Sequence, residues 1–370
     1  MATCCPKTCF IEKSQGVPST ADLSPDQKWV VFVKPRHALI VAIALEDPVS
    51  SSLRVIFCGT GAFGLPALDA LLTSPHQVTL IVTQPDRPAG RHRELKGSPI
   101  KERALKAGIP VFQPEHLSRP EAVDRLRSEA ADVMVVVSYG QILRAGVLAL
   151  PRLGCVNLHG SLLPRHRGAS PVQAAILAGD EESGTTSMIM DAGLDTGPIL
   201  MEAKVRIGSR ESAPELHDRL AAAGGRIIVP TLDGLASGNL SPRAQGADGV
   251  TVCRTLTKES GRIDWRKSAT EIDRLVRAMV PWPSALSTLV QDDGEKIGLQ
   301  VHDAMVVPAA GDLTPGSLRF ENGHFEVACG SGYLRLLRLK PDGKNLMDAT
   351  AFLRGRRLTS NDRMAVEGNS

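Results

Sequence analysis

The chain lacks any apolar run able to cross a bilayer as a helix: the longest near its start, Ala38 to Leu45, falls far short of the roughly 20 residues needed. It also sits too late for an ordinary secretory signal. Metal-ligand patterning is missing as well. Of seven cysteines only Cys4, Cys5 and Cys9 cluster, with no histidine pair nearby to complete a zinc site, and no metal is expected. A large charge excess is absent, since the net charge is only +3, so contact with a polyanion has to come from local patches. There is no internal repeat. What these absences leave is a soluble cytoplasmic protein with reduced thiols, not bound to a membrane. Its 370 residues, 42% hydrophobic, suffice for two domains with separate cores.

Residues 1–52 show no clear periodicity and hold Glu12, Asp22, Asp26, Glu46 and Asp47, which a mitochondrial transit peptide avoids. They are expected to be a leader, disordered or the product of an over-called start; the competing reading makes strands of "WVVFV" and "ALIVAIAL". From Arg54 strands and helices alternate: "RVIFC", a helix over Leu65 to Leu72, "VTLIV", "PIKERALKAG", "PVFQ", "EAVDRLRSEA", "DVMVVVSY" and "GCVNLHG". Such alternation builds a doubly wound, Rossmann-like α/β domain on a parallel sheet, assigned to 53–237, with functional loops at the carboxyl ends of its strands. Ser170 is expected to cap the helix that Pro171 starts. Residues 238–256, rich in Gly, Ser and Pro, read as a linker. Residues 257–365 bring a helix and strand pairs around Gly294 and the Asn322-Gly323 hairpin signal, predicting a small, OB-like β-barrel.

"CGTGAFGLP" contains a complete G-x-G-x-x-G at Gly59, Gly61 and Gly64, directly after a strand. A dinucleotide site also needs an acid at the end of the second strand. Here Asp86 appears only after Pro85 and inside a basic loop, which favours glycines kept for tight strand-to-helix packing.

In "GCVNLHGSLLPRHRG", Val156 and Leu158 alternate with Asn157 and His159, so on a strand the two polar side chains share a face near its carboxyl end. "MDAGLDTGPIL" puts Asp191 and Asp195 on a glycine-rich loop. The single "DTG" cannot make an aspartic-protease pair, which needs two facing carboxylates. Asp195 can alternatively close its own turn through backbone amides. Arg87, Arg91, Arg93 and Lys96 crowd one short segment, either as solvated charge or as a phosphate contact.

Together, "FCGTGAFGLPALDALL", "TQPDRPAGR", "ADVMVVVSYGQIL", "GCVNLHGSLLPRHRGASPVQAAILAGDEESGTTSMIMDAGLDTGPIL", "RIDW" and "PWP" resemble the methionyl-tRNA formyltransferase family, over nearly everything from Leu53 to about Arg357. The Asn, His, "SLLP" and Asp elements are shared with the wider group that uses 10-formyltetrahydrofolate. His166 departs from the family, which usually carries Trp there. The resemblance implies transfer of the formyl group of 10-formyltetrahydrofolate to the α-amine of initiator methionyl-tRNA, with tetrahydrofolate as product. It implies Asn157 and protonated His159 as oxyanion donors and Asp195 as partner of His159 and proton relay. It further implies a folate site at Ser161, Leu162, Leu163, Pro164, Tyr139, Gly140 and Ile142, and tRNA contact at Arg87, Arg91, Arg93 and Lys96. A monomer without metal is expected. A sugar-nucleotide formyltransferase, a 10-formyltetrahydrofolate hydrolase domain and a catalytically silent tRNA- or folate-binding module remain as alternatives.

Overall fold

The computed structural model describes residues 28–33, 40–45, 52–89, 94–309, 313–356 and 358–366. Residues 1–51 and 52–370 form two units. In the first, strands Lys28–Val33 and Ile40–Leu45 pair antiparallel.

The second unit begins with a seven-stranded sheet made of β1 (Arg54–Gly59), β2 (Gln77–Val82), β3 (Val111–Phe112), β4 (Val133–Val137), β5 (Cys155–His159), β6 (Glu182–Ile189) and β7 (Ile199–Arg206). Their order is β7-β6-β5-β4-β1-β2-β3. The run from β5 to β3 is parallel, as alternation with helices predicts. β6 departs from the all-parallel expectation, pairing antiparallel with both β5 and β7. Its register, Thr186 opposite His159 and Ile189 opposite Val156, shows that the chain re-enters the sheet at the end where β5 left it. No crossover over the sheet intervenes, so β6 can only run back.

The helices that flank the sheet are α1 (Leu65–Leu72), α2 (Pro99–Lys106), α3 (Pro120–Ser128), α4 (Pro171–Ala178) and α5 (Ala213–Ser237). Pro171 stands at the first turn of α4 as expected, but Ser170 makes no side-chain capping bond. Alternate residues of the central strands feed two cores. Val55, Phe57, Val133, Val135, Val137, Val156 and Leu158 join one cluster, while Ile56, Cys58, Met134, Val136 and Cys155 join the other. Both faces are therefore covered, the usual condition of a parallel sheet.

Residues 238–256 return along this domain: Arg243 bridges to Ile199, and Val252–Cys253 pairs in parallel with Arg167–Gly168. Helix α6 (Ala269–Met279) follows, opened by a capping box in which Ser268 Oγ accepts from Glu271 N–H and Glu271 Oε2 accepts from Ser268 N–H. Its end buries Ala278 and Met279 in the first domain's core, while Ile272 and Val276 face a second core around Trp265. Beyond it, β8 (Ala285–Val290), β9 (Lys296–Val307), β10 (Leu318–Glu321), β11 (His324–Ala328), β12 (Tyr333–Pro341) and β13 (Arg363–Met364) form an antiparallel sheet in the order β10-β11-β12-β9-β8-β13. A bridge between Ser317 and Arg363 joins the two ends of that order into a barrel. Asn322 (φ 51°) and Gly323 (φ 76°) make the predicted tight hairpin turn.

The glycine motif after β1 serves packing. A Cβ on Gly59 would lie 2.8 Å from Phe57 Cε1 and 3.1 Å from the Val137 carbonyl, both in the core. Gly61 has φ −76°, and its nearest neighbour would be Ser138 Cβ at an ordinary 3.7 Å. Asp86, the residue a ribose would need, is committed to Lys101 Nζ at 2.5 Å and Gln113 Nε2 at 2.8 Å. These bonds hold its carboxyl below the usual carboxylate range. We therefore expect Gly59→Ala to cost about 1–3 kcal/mol by overpacking and to lower the melting temperature by several degrees, with Gly61→Ala near neutral. Thermal unfolding of the two variants checks this; a dinucleotide role would reverse the ranking in a binding assay.

Candidate active site

Because Val156 and Leu158 of β5 are buried in one core, the alternation of the strand turns Asn157 and His159 to the other face, at its carboxyl end. They open on a cavity of about 580 Å³, within the usual size range of small-molecule sites. Asp195, on the loop between β6 and β7, lines the same cavity. Asn157 Nδ2 donates to Asp195 Oδ1 at 3.4 Å, and His159 Nδ1 lies 3.7 Å from Asp195 Oδ2. The second distance is that of an ion pair rather than a hydrogen bond, so a proton on Nδ1 is still available to a ligand atom. His159 is only 6% exposed, and its other nitrogen, Nε2, donates to the His166 carbonyl at 2.8 Å. That donor is spent within the protein. The groups left to face a developing negative charge are Asn157 Nδ2 and a protonated His159 Nδ1.

Two aspartates lie on this loop, and their partners differ. Asp191 closes its own turn, accepting from Gly193 N–H at 3.0 Å and from Thr196 Oγ1 at 2.7 Å. Asp195 instead holds φ 52° and turns its carboxylate to β5, accepting from Gly168 N–H at 2.8 Å. Its main chain is fixed by a residue that sequence reasoning missed. Gln245 Nε2 donates to the Asp195 and Gly197 carbonyls, each at 2.8 Å, while Gln245 Oε1 accepts twice from the Arg167 guanidinium. Nothing in the sequence near Gln245 marks it, since it sits in a segment with the composition of a linker.

Of the residues expected at a folate site, Tyr139, Gly140 and Ile142 line the cavity. Tyr139 is 2% exposed, its carbonyl accepts from Thr60 Oγ1 and Gln84 Nε2, and burial beside Cys58 pushes its hydroxyl pKa up. Its Oη has no partner in the protein. Ile142 and Leu194 are 90% and 60% exposed at the rim. Large apolar side chains left open around a cavity suit a flat aromatic ligand. Ser161, Leu162, Leu163 and Pro164 do not line it. Ser161 Oγ donates to the Arg165 carbonyl, its own carbonyl accepts from Thr186 Oγ1, and Leu163 packs with Met188 and Ile199. This turn shapes the backbone between β5 and α4. Phe63 and His217, in edge contact at 5.2 Å, also line the cavity and carried no signal in the sequence.

Arg87 and Lys96 face each other across a short ribbon, Arg87–Ala89 with Glu94–Lys96, and both are exposed. Arg91 and Arg93 lie outside the described residues. Among the described residues no group of three His, Cys, Asp or Glu side chains could hold a metal ion, and no helix is long and apolar enough to cross a membrane.

The family described as formyl transferase matches residues 53–232, and the formyl transferase C-terminal domain matches residues 255–357. The chain is 46% identical over 301 residues to the methionyl-tRNA formyltransferase of Methylococcus capsulatus, covering 81% of the chain and 96% of the relative. Identity to the same-named protein of Acidithiobacillus ferrooxidans is 47% over 305 residues, 82% of the chain and 96% of that relative. Among solved structures, an N-formyltransferase from Helicobacter canadensis, in complex with folinic acid and dTDP-3-aminofucose, superposes with a TM-score of 0.57 at 15% identity. It covers 77% of this chain and 98% of its own, a likeness of fold alone.

The contact between Gly168 and Asp195 requires glycine. Gly168 has φ 110°, and a Cβ there would stand 2.2 Å from the Cys253 carbonyl oxygen. Gly168→Ala is expected to cost at least about 1–3 kcal/mol, read as a lower melting temperature, and to reduce turnover in the folded fraction.

Proposed function

The chain belongs to the formyl transferase family, with relatives named methionyl-tRNA formyltransferase, and on that premise we propose that Asn157, His159 and Asp195 carry its reaction. The activity is transfer of the formyl group of 10-formyltetrahydrofolate to the α-amine of methionyl initiator tRNA. One observation carries the residue assignment: Asn157 and His159, side by side on one face of β5, and Asp195, on the loop after β6, meet at one cavity with donors and an acceptor within hydrogen-bond or ion-pair range.

The incoming α-amine titrates near about pH 8, so a useful neutral fraction is present at neutral pH and no covalent enzyme intermediate is needed. Its attack puts negative charge on the formyl oxygen and positive charge on nitrogen. Asn157 Nδ2 offers a hydrogen bond to the first. With Nε2–H held by the His166 carbonyl, the neutral imidazole has its lone pair at Nδ1; a proton gained there sits 3.7 Å from Asp195 Oδ2, which stabilises it. His159 thus serves as proton acceptor at Nδ1 and, once charged, as a second donor to the oxyanion. Asp195 favours that charge and helps relay the proton, through His159 or water, to N10 as the bond from the formyl carbon to N10 breaks and tetrahydrofolate leaves.

Tyr139, Gly140 and Ile142 fit the cavity wall for the pterin end of the folate, with the exposed Ile142 and Leu194 closing over it. The exposed Arg87 and Lys96 stand directly opposite, a like-charge pair that favours binding of phosphate. Arg91 and Arg93 belong to the same tRNA contact in this reading. We assign the enzyme to the reducing cytoplasm, acting as a monomer; the described cysteines Cys58, Cys155, Cys253 and Cys329 are all free and buried. The sugar-nucleotide alternative draws on solved structures at 15–16% identity, which carry fold only.

Asn157→Ala should lower kcat by about 10²–10³-fold with the donor KM little changed, and His159→Ala should do at least as much. Asp195→Asn should lower kcat. Steady-state formylation of charged initiator tRNA checks all three, and near-normal kcat in the first two would sink the assignment. Removing charge from the ribbon by Arg87→Ala with Lys96→Ala should raise the tRNA KM, spare kcat and reduce the log–log salt slope by about 1 per lost phosphate contact; an unchanged slope would return these residues to plain surface charge.

A further inference from the structure

Residues 166–168 touch both His159 and Asp195 through backbone atoms alone. The His166 carbonyl accepts from His159 Nε2 at 2.8 Å, and the Gly168 N–H donates to Asp195 Oδ2 at 2.8 Å. Whatever fixes this segment therefore fixes how the two side chains face each other. His166 holds φ 55°, a left-handed conformation disfavoured for an L-residue with a ring, so the segment needs support from outside itself.

That support converges on His166. Its imidazole, 6% exposed, meets Asp180 Oδ2 through Nε2 at 2.7 Å and Thr251 Oγ1 through Nδ1 at 3.3 Å. Its N–H donates to the same Thr251 Oγ1 at 2.8 Å, and the Cys253 thiol donates to its carbonyl at 3.5 Å. Asp180 is anchored in turn, its Oδ1 accepting from Arg165 at 2.6 Å. Every partner is satisfied when Thr251 Oγ1 accepts from the His166 N–H and pairs with Nδ1 while Nε2 donates to the Asp180 carboxylate.

We propose that His166 and Asp180 are positioning residues for formyl transfer: the buried His166 ring, held by the partly buried Asp180 and by Thr251, fixes the carbonyl that keeps the ring proton of His159 on Nε2 and leaves Nδ1 facing Asp195. The inference rests on the reading of Asn157, His159 and Asp195 as the catalytic set. It gives His166 a task that filling volume cannot meet, because the carbonyl selects the tautomer of His159. If the carbonyl moves, the His159 proton is no longer held on Nε2, and the nitrogen facing Asp195 loses its defined role.

The test is steady-state kinetics on the full chain, combined with spectra of ¹⁵N-labelled histidine. His166→Ala should lower kcat by up to about 10²-fold, the cost of a small misplacement at the reacting centre, and leave both KM values within about threefold. The His159 Nε2 resonance should leave its protonated position. His166→Gln, whose amide can still donate to Asp180, should recover about tenfold or more of that loss. Thr251→Val keeps the shape and removes the hydroxyl, and it should lower kcat in the same direction even if His166→Ala does not fold. Folded variants with kcat within about threefold of the parent, or a lowered kcat with an unmoved His159 Nε2 signal, would overturn the proposal. Full activity in His159→Ala would instead overturn the catalytic set on which it rests.

Discussion

A sheet covered on both faces leaves polar side chains only one place to work, the ends of its strands. In this protein Val133 to Val137 are all buried, and neighbouring strands divide their side chains between two apolar cores. An imidazole or carboxamide in the middle of such a strand would lose its hydration without gaining partners. Asn157 and His159 escape that cost because β5 ends with them and the chain then turns away. The turn is stable because Thr186, on the neighbouring β6, both donates to the Ser161 carbonyl and accepts from the Leu163 N–H. The antiparallel β6 that departs from the parallel rule is therefore also the strand that holds the end of β5 in place.

The site is assembled from segments that do not neighbour one another in sequence. β5 supplies Asn157 and His159, the loop before β7 supplies Asp195, and residues 166–168 contact both His159 and Asp195. The stretch after α5 then closes over the back through Gln245, Thr251 and Cys253. That stretch is chemically part of the catalytic domain although it leads to the barrel. The barrel is tied on by charge as well as by apolar contact: Arg210 reaches Asp273 of α6, Asp303 of β9 and the Ala304 carbonyl, while Arg277 of α6 donates to Asp273 and to the Glu211 carbonyl. These partly buried, shared hydrogen bonds restrict how the two domains are oriented more than single exposed pairs would.

Local signals were legible where local physics decides. The strand-turn-helix at Arg54 to Leu72, the helix opened by Ser268 and the Asn322-Gly323 turn all follow from periodicity, capping and positive φ. The packing role of Gly59 was also readable, because a dinucleotide site needs a free acid and Asp86 stood in the wrong context; the structure shows it bound to Lys101 and Gln113. Less legible were contacts made through backbone atoms. A carbonyl at His166 or an amide at Gly168 has no side-chain signature, and in the turn where folate contact was expected the Ser161 hydroxyl bonds the Arg165 carbonyl and Leu163 packs with Met188 and Ile199.

The sequence alone determined the fold class, the succession of a parallel-sheet domain and an antiparallel one, and the family, since periodicity and motif spacing are local properties that survive without coordinates. Where each aspartate of the β6–β7 loop finds its partners was decided only by the tertiary structure. Asp191 and Asp195 lie on one loop with similar glycine neighbours, and the difference is that Asp195 adopts φ 52° and finds the Gly168 N–H, whereas Asp191 finds Gly193 and Thr196. The same holds for the free nitrogen of His159. The ring's other nitrogen meets a carbonyl seven residues away, on a residue that is itself bonded to Thr251 and Asp180, contacts that exist only once distant segments have been packed together.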